Sequence, residues 1–221
     1  ATAFGLVASQ AKRKPPRPLM AMIFPSFNQV LAVSTERVVF EAELEPGRMN
    51  RFDCRLERIE AKPAPALKET DGVYRFRTED LEVRIGVATG LIERYRARGV
   101  DYLKPGAARP LVVRDTADPW GMKVRRFRDV VGAFELLDRE SGARLSGVSA
   151  VGLPSVRVIE DGPVRTIVES LFGYGCSRFV MRTKLPKRGT EVEIEARVFW
   201  NEKDRMLKLA FPIPFAEAKF V

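Results

Sequence analysis

Apolar and charged positions alternate along much of this chain, most sharply in TEVEIEARVFW at residues 190–200. Val192, Ile194, Ala196, Val198 and Trp200 fall on one face, and Glu193, Glu195 and Arg197 on the other. A period of two over that length predicts a strand with one buried face in an antiparallel sheet. SVRVIED (155–161), VRTIVESLF (164–172) and SRFVMRTKL (177–185) read as three more strands. NEKD (201–204) reads as a hairpin turn that returns the chain through RMLKLAFPI (205–213). Upstream, LEVRIGVATGLIERY (81–95) reads as strand, Gly-containing turn and strand, and RPLVVRD (109–115) as another strand. RVVFEAEL (37–44) and RFDCRLERIEA (51–61) predict earlier strands, the second with one slip that a bulge would explain. No stretch sustains a 3.6-residue period, so the fold expected is all-β, with under about a tenth of the residues helical.

The same pattern divides the chain. Residues 1–18 are basic and proline-rich and read as a tether; residues 19–62 hold a small β segment. KPAPALKETDG (62–72) is a linker by composition, and residues 72–221 make up a large β-sandwich. Within it, SGARLSGVSAVG (141–152) reads as a Gly/Ser-rich loop. The full 221 residues are enough for one large β domain, alone or with a small companion. With 45% hydrophobic and 30% charged residues, the profile is that of a soluble globular protein. The longest apolar run, LMAMIF at residues 19–24, is too short to cross a bilayer and lacks a signal peptide's cleavage site. No membrane partner and a cytoplasmic location are therefore expected. The opening ATAFG, without methionine, suggests a fragment of something longer.

Charge and chemistry narrow the function classes. A net charge of +9 would attract polyanions, and KRKPPR (12–17) and KVRRFR (123–128) are the basic clusters. Neither sits in a nucleic-acid motif, so a solvated basic face is expected and no nucleic-acid partner. Cys54 and Cys176 fit no CxxC pattern and read as two buried reduced thiols, with a disulfide or surface thiols as the alternative. The chain has no histidine, which removes the commonest zinc ligand, the commonest general base and every Ser-His-Asp or Cys-His device. GYGCSR (173–178) lacks the following helix that a phosphate loop needs and reads as a hairpin connection. Glu191, Glu193 and Glu195 line one strand face at a spacing suited to metal or acid/base work, but charged residues alternating on a solvated sheet face are the favoured reading. RDTADPWGMKV (114–124) places Asp115 and Asp118 beside Trp120. Carboxylates next to an indole suit a sugar, with acceptors for hydroxyls and an aromatic face for the ring; an Asp-capped turn with Trp120 as a core plug is the other reading.

Several segments together resemble the glycoside hydrolase family 38 α-mannosidases, in the β-rich region downstream of their catalytic domain. FRTEDLEVRIGVATGLIERYRARGVDYLKPGAAR (76–109), DPWGM (118–122), VIEDGPVRTIVES (158–170) and VEIEARVFWNEKDRMLKLAFP (192–212) carry the resemblance in order. Asn201 stands where many members carry histidine, and RVVFEAELEPGRMNRFDC (37–54) is similar to the smaller β domain that precedes the sandwich. The resemblance implies a galactose-mutarotase-like supersandwich, here partial and cut short at its C-terminal end. It implies a non-catalytic region of a retaining α-mannosidase that packs on the catalytic domain of the parent chain and lines the mannoside cleft. Asp115, Asp118 and Trp120 are then substrate-binding candidates. No catalytic or metal residue is expected, because the family's nucleophile and its His/Asp-held zinc belong to the catalytic domain. The chain itself would need no cofactor. A free-standing carbohydrate-binding module is the alternative, marked by exposed aromatics in a row; an aldose mutarotase is a further one, whose chemistry relies on the histidine that is missing. Self-association, and the mannoside's linkage, are left open.

Overall fold

The computed structural model describes residues 3–10, 39–59, 63–116, 127–148 and 152–215, with only the backbone of residues 3–10 and 53–59. The chain falls into two compact units, Ala1–Ala64 and Pro65–Val221, and the division lies within the proline-bearing linker. In the first unit β1 (Ala3–Gln10) pairs antiparallel with β2 (Phe52–Ile59) in unbroken register, from Ala3 opposite Ile59 to Gln10 opposite Phe52. The basic N-terminal stretch therefore begins with a strand before its proline-rich part. The strand expected at 37–44 is not found where the chain is described: residues 39–45 are exposed and carry no ladder. Phe40 instead packs edge-on against Phe52 at 5.0 Å, and the Asn50 amide closes the following turn onto Glu45, donating to its carbonyl and accepting from its N–H.

The second unit is an all-β antiparallel sandwich. A five-stranded meander is formed by β3 (Glu69–Thr70), β4 (Val73–Arg77), β5 (Leu81–Gly86), β6 (Ile92–Ala97) and β7 (Val100–Asp101). Then come β8 (Arg109–Arg114), β9 (Val130–Ala133), β10 (Glu135–Leu136), α1 (Arg139–Leu145), β11 (Val156–Asp161), β12 (Arg165–Tyr174), β13 (Ser177–Pro186), β14 (Glu193–Phe199) and β15 (Arg205–Ala210). A second five-stranded sheet is centred on β12: β13 and then β14 lie on one side, while β11 and β10 divide the other side between them. A three-stranded sheet runs β15-β8-β9.

Alternation explains this packing. In β13, residues 177, 179, 181, 183 and 185 are buried and their neighbours are not. In β5, Leu81, Val83 and Ile85 do the same from the facing meander. They meet in one core with Val168 and Phe172 of β12, where Phe172 and Phe179 sit directly opposite with ring centroids 6.0 Å apart. Each such side chain contributes about 1.5–3 kcal/mol of burial.

Two connections differ from the sequence reading. The loop at 141–152 starts inside α1: Asp138 caps the helix, its carboxylate accepting from the Ser141 N–H at 2.7 Å. Seven residues are too few to display a helical period, so the pattern gave no sign of it. The NEKD turn is not a hairpin, because β14 pairs with β13 whereas β15 pairs with β8. Residues 201–204 form an arch that carries the chain from one sheet to another. The apolar face of β14 is also less buried than expected. Val192, Ile194 and Trp200 pack on the core, but Ala196 is exposed and Val198 is 39% exposed, since β14 is the outer strand of its sheet.

Candidate functional site

Of the three residues singled out for sugar contact, the structure places one. Asp115 follows directly on β8 and is half-buried; its N–H donates to the Asp204 carbonyl at 3.0 Å, and its carboxylate accepts from the Thr116 N–H at 2.7 Å. Asp118 and Trp120 lie outside the described residues. So do the basic clusters, except for Phe127 and Arg128.

Around Asp115 one end of the sandwich is assembled from three connections. Gly175 and Cys176 form the two-residue loop of the β12–β13 hairpin, which closes with Tyr174 opposite Ser177. Gly175 has φ +51, and a Cβ there would lie 2.7 Å from Glu202 Oε1. That close approach lets Glu202 of the arch accept from the Cys176 N–H at 3.0 Å and from the Ser177 hydroxyl at 3.1 Å. The same hydroxyl accepts from the Asn201 N–H at 2.8 Å. Phe134, whose N–H donates to the Pro110 carbonyl nearer the start of β8, packs with Tyr174, Phe179 and Trp200 at 5.8, 5.8 and 6.3 Å. The end thus carries the carboxyl groups of Asp115, Glu202 and Asp204. Glu202 escaped the sequence reading because its role depends on the arch, and turn composition does not reveal which sheet the next strand joins. The exposed Cys176 thiol corrects the expectation of two buried thiols: it occupies a hairpin tip where no core can cover it. Cys54 lies in β2, where only the backbone is described.

The glutamates of β14 are paired rather than poised for chemistry. Across the outer face of the β12 sheet, Arg157, Glu169, Arg182, Glu195, Lys184 and Glu193 form a continuous ladder of ion pairs. Its contacts run from 2.6 Å (Lys184 to Glu193) to 3.5 Å (Arg182 to Glu195). The Lys184 hydrogen bond holds the Glu195 carboxyl below its ordinary range, and the hydrogen bonds Lys184 donates to Glu193 and Glu195 raise its own pKa in return. Glu191 is exposed beside this row. The chain has no histidine, and among the described residues no three His, Cys, Asp or Glu side chains are grouped so as to hold a metal ion. No buried side-chain N or O among the described residues lacks a hydrogen-bond partner.

A row of aromatics does occur, Tyr95, Tyr102 and Phe215, with centroids 6.1 and 6.2 Å apart. Tyr102 and Phe215 are 42% and 51% exposed. The rings are tilted by 55° and 67° to one another, however, and the Tyr95 hydroxyl is committed to the Thr190 carbonyl at 2.8 Å. Rings so inclined pack edge to face and offer a sugar chain no flat platform. No helix among the described residues is long and apolar enough to cross a membrane.

Residues 78–221 match the family model described as "Glycosyl hydrolases family 38 C-terminal domain". The match covers β5 to β15, and so the whole of the candidate end. Among curated proteins no match was found.

Proposed function

Since this chain belongs to the family of glycosyl hydrolases family 38 C-terminal domains, we propose that it is the sandwich region of a retaining α-mannosidase, packing on a catalytic domain and lining its mannoside cleft. The observation that carries the proposal is the family match across the sandwich. The chemistry of the candidate end supports it: Asp115 and Glu202 supply hydroxyl acceptors, and both are fixed by backbone hydrogen bonds. Asp118 and Trp120 follow Asp115 within five residues of sequence.

Bond cleavage is assigned elsewhere. Retaining hydrolysis needs a nucleophile and an acid/base carboxyl about 5–5.5 Å apart across the glycosidic bond. Here the sheet carboxylates are engaged with Arg and Lys, and zinc belongs to the catalytic domain. The chain contributes walls, acceptors and orientation, in a cytoplasmic enzyme that handles α-mannosides.

The test uses the purified chain and a separately produced catalytic domain. The chain alone is expected to leave an aryl α-mannoside intact with or without added zinc, and to raise turnover when combined with its catalytic domain. In the combined enzyme Trp120→Ala should raise KM or weaken docking. Chelator-sensitive turnover by the chain alone would place the catalytic machinery within it and overturn the proposal.

A further inference from the structure

At the opposite end of β8 from Asp115 a cleft of about 320 Å³ opens between the β5–β6 turn, the loop before β8, and the β9–β10 segment. The six residues of β8 separate the two ends, roughly 20 Å at about 3.3 Å per residue. The cleft floor is apolar, made of Leu91, Phe134 and Leu136. Its rim is polar, with Thr89, Glu93, Arg109 and Glu135.

The walls are held rigidly. The Thr89 hydroxyl donates to Glu93 Oε1 at 2.7 Å and fixes that carboxylate over the floor. Gly90 has φ +68, and a Cβ there would lie 2.8 Å from Leu136 and 2.9 Å from Phe172, so the turn's backbone lies directly on the floor. The buried Ser170 hydroxyl anchors it by donating to the Gly90 carbonyl at 3.0 Å. On the other wall the loop passes through two left-handed residues, Gly106 at φ +83 and the fully buried Ala108 at φ +65. The second is unfavourable for a residue with a Cβ, and such conformations persist only where surrounding structure imposes them. Here the N–H groups of Gly106 and Ala107 both donate to the Ile92 carbonyl, at 3.1 and 2.9 Å. The strained loop leads straight into Arg109, whose guanidinium lies 3.7 Å from the Glu135 carboxylate.

We propose that this cleft is a binding subsite for a single neutral saccharide ring, lying about the length of β8 away from the Asp115 end. The inference rests on the reading of the chain as part of a glycoside hydrolase, and its ligand class follows from the lining. Two carboxylates against one guanidinium make the rim net negative on a chain of net charge +9, which disfavours anions. A carboxylate and a guanidinium side by side offer an acceptor and a donor to neighbouring hydroxyls, each of which is both. The apolar floor meets the C–H face of the ring. The volume stands at the lower end of the roughly 300–1,000 Å³ of small-molecule sites, which suits one ring rather than a chain of them.

The test is an amide-resolved NMR titration of the whole chain with methyl α-mannopyranoside, with ethylammonium chloride and inorganic phosphate as charged probes. Saturable shifts at Thr89, Leu91, Glu93, Arg109 and Leu136, with millimolar affinity and little response to either ion, are expected. Arg109→Ala and Glu93→Ala should each weaken binding about tenfold. Glu93→Gln, which keeps an acceptor oxygen, should weaken it less, and unchanged spectra elsewhere would show each variant folded. No saturable shift at these amides, or a response to ethylammonium alone, sinks the subsite. Shifts confined to Asp115 and Thr116 would sink it too, while leaving the proposed role of that end intact. Failure of the chain to assist its catalytic domain would strike the functional reading and not the subsite.

Discussion

Asp161 is the residue on which the start of the sandwich unit depends. Its carboxylate, 5% exposed, accepts from the N–H groups of Ala66 and Leu67 at 2.7 and 3.0 Å, the Thr166 hydroxyl at 2.6 Å and the Lys187 ammonium at 2.8 Å. Lys187 also lies 5.3 Å over the Phe76 ring. Burial alone would push this carboxyl up, but Lys187, Thr166 and the Leu67 amide outweigh it and hold the group far below its ordinary 3.8. Asp161→Ala leaves those donors without their acceptor and should cost about 2–4 kcal/mol at neutral pH. The sign of the pH dependence follows from the direction of the shift. A depressed folded-state pKa gives stability that is complete above the ordinary value of 3.8 and is lost as pH falls through the folded value. Urea denaturation of both proteins should therefore show a constant gap above about pH 5 that narrows as the pH is taken below the ordinary carboxylate range. A gap that stays constant down to pH 2, or widens in acid, would contradict the clamp. Sequence alone presents Asp161 as one more charge before a Gly-Pro turn, because its partners come from residues 66–67, 166 and 187.

At the scale of elements, the strands were legible and their destinations were not. SVRVIED, VRTIVESLF, SRFVMRTKL and EVEIEARVFW reappear as β11 to β14 because a half-buried sheet imposes a period of two. The charged face of these strands was equally visible. What could not be read was that Glu169 is nearly buried between Arg157 and Arg182, since that depends on β11 and β13 flanking β12. Nor does a four-residue turn disclose that β15 leaves β14 for β8. Of the candidate site, Asp115 was found at the end of its predicted strand, whereas Glu202 becomes visible only once two turns meet. Trp200 tests the packing between these elements. It ends the apolar face of β14 and lies 6.3 Å from Phe134, yet it is half-buried, because the arch beside it leaves part of the indole open. Trp200→Ala should accordingly cost about 2–3 kcal/mol, below the usual range for a fully buried aromatic. Trp120→Ala, in a stretch whose sequence sets it between Pro119 and Gly121 and among charges, should cost less than about half of that in this chain. Guanidinium denaturation of the two variants decides the point: equal losses, or a larger one for Trp120, would make DPWGM a buried plug and remove it from the sugar-facing lip.

For the molecule as a whole, the division at Ala64 and Pro65 separates two parts of unequal means. The first has a single two-stranded sheet among its described residues, and such a pair is marginal in water without further packing. The second carries a core drawn from facing five-stranded sheets, from Phe76 in β4 to Leu185 in β13, and the clamp that fixes its first residues belongs to it. The described core is drawn from residues 67 onward, and the Asp161 carboxylate holds Ala66 and Leu67 from within the same unit. A chain of residues 65–221 should therefore fold alone, with a far-UV circular dichroism spectrum dominated by β structure and little helix beyond the roughly two turns of α1. Its melting temperature should lie within about 3 °C of the full chain's main transition, whereas residues 1–64 alone should show no cooperative melt. Combining that truncation with Asp161→Ala should lower the midpoint by as much as the substitution does in the full chain, because the clamp is internal to the second unit. A truncated chain that aggregates or melts far below the full one would mean the first unit supplies part of the sandwich's stability, and the boundary at residue 64 would then be one of chain organisation and not of folding.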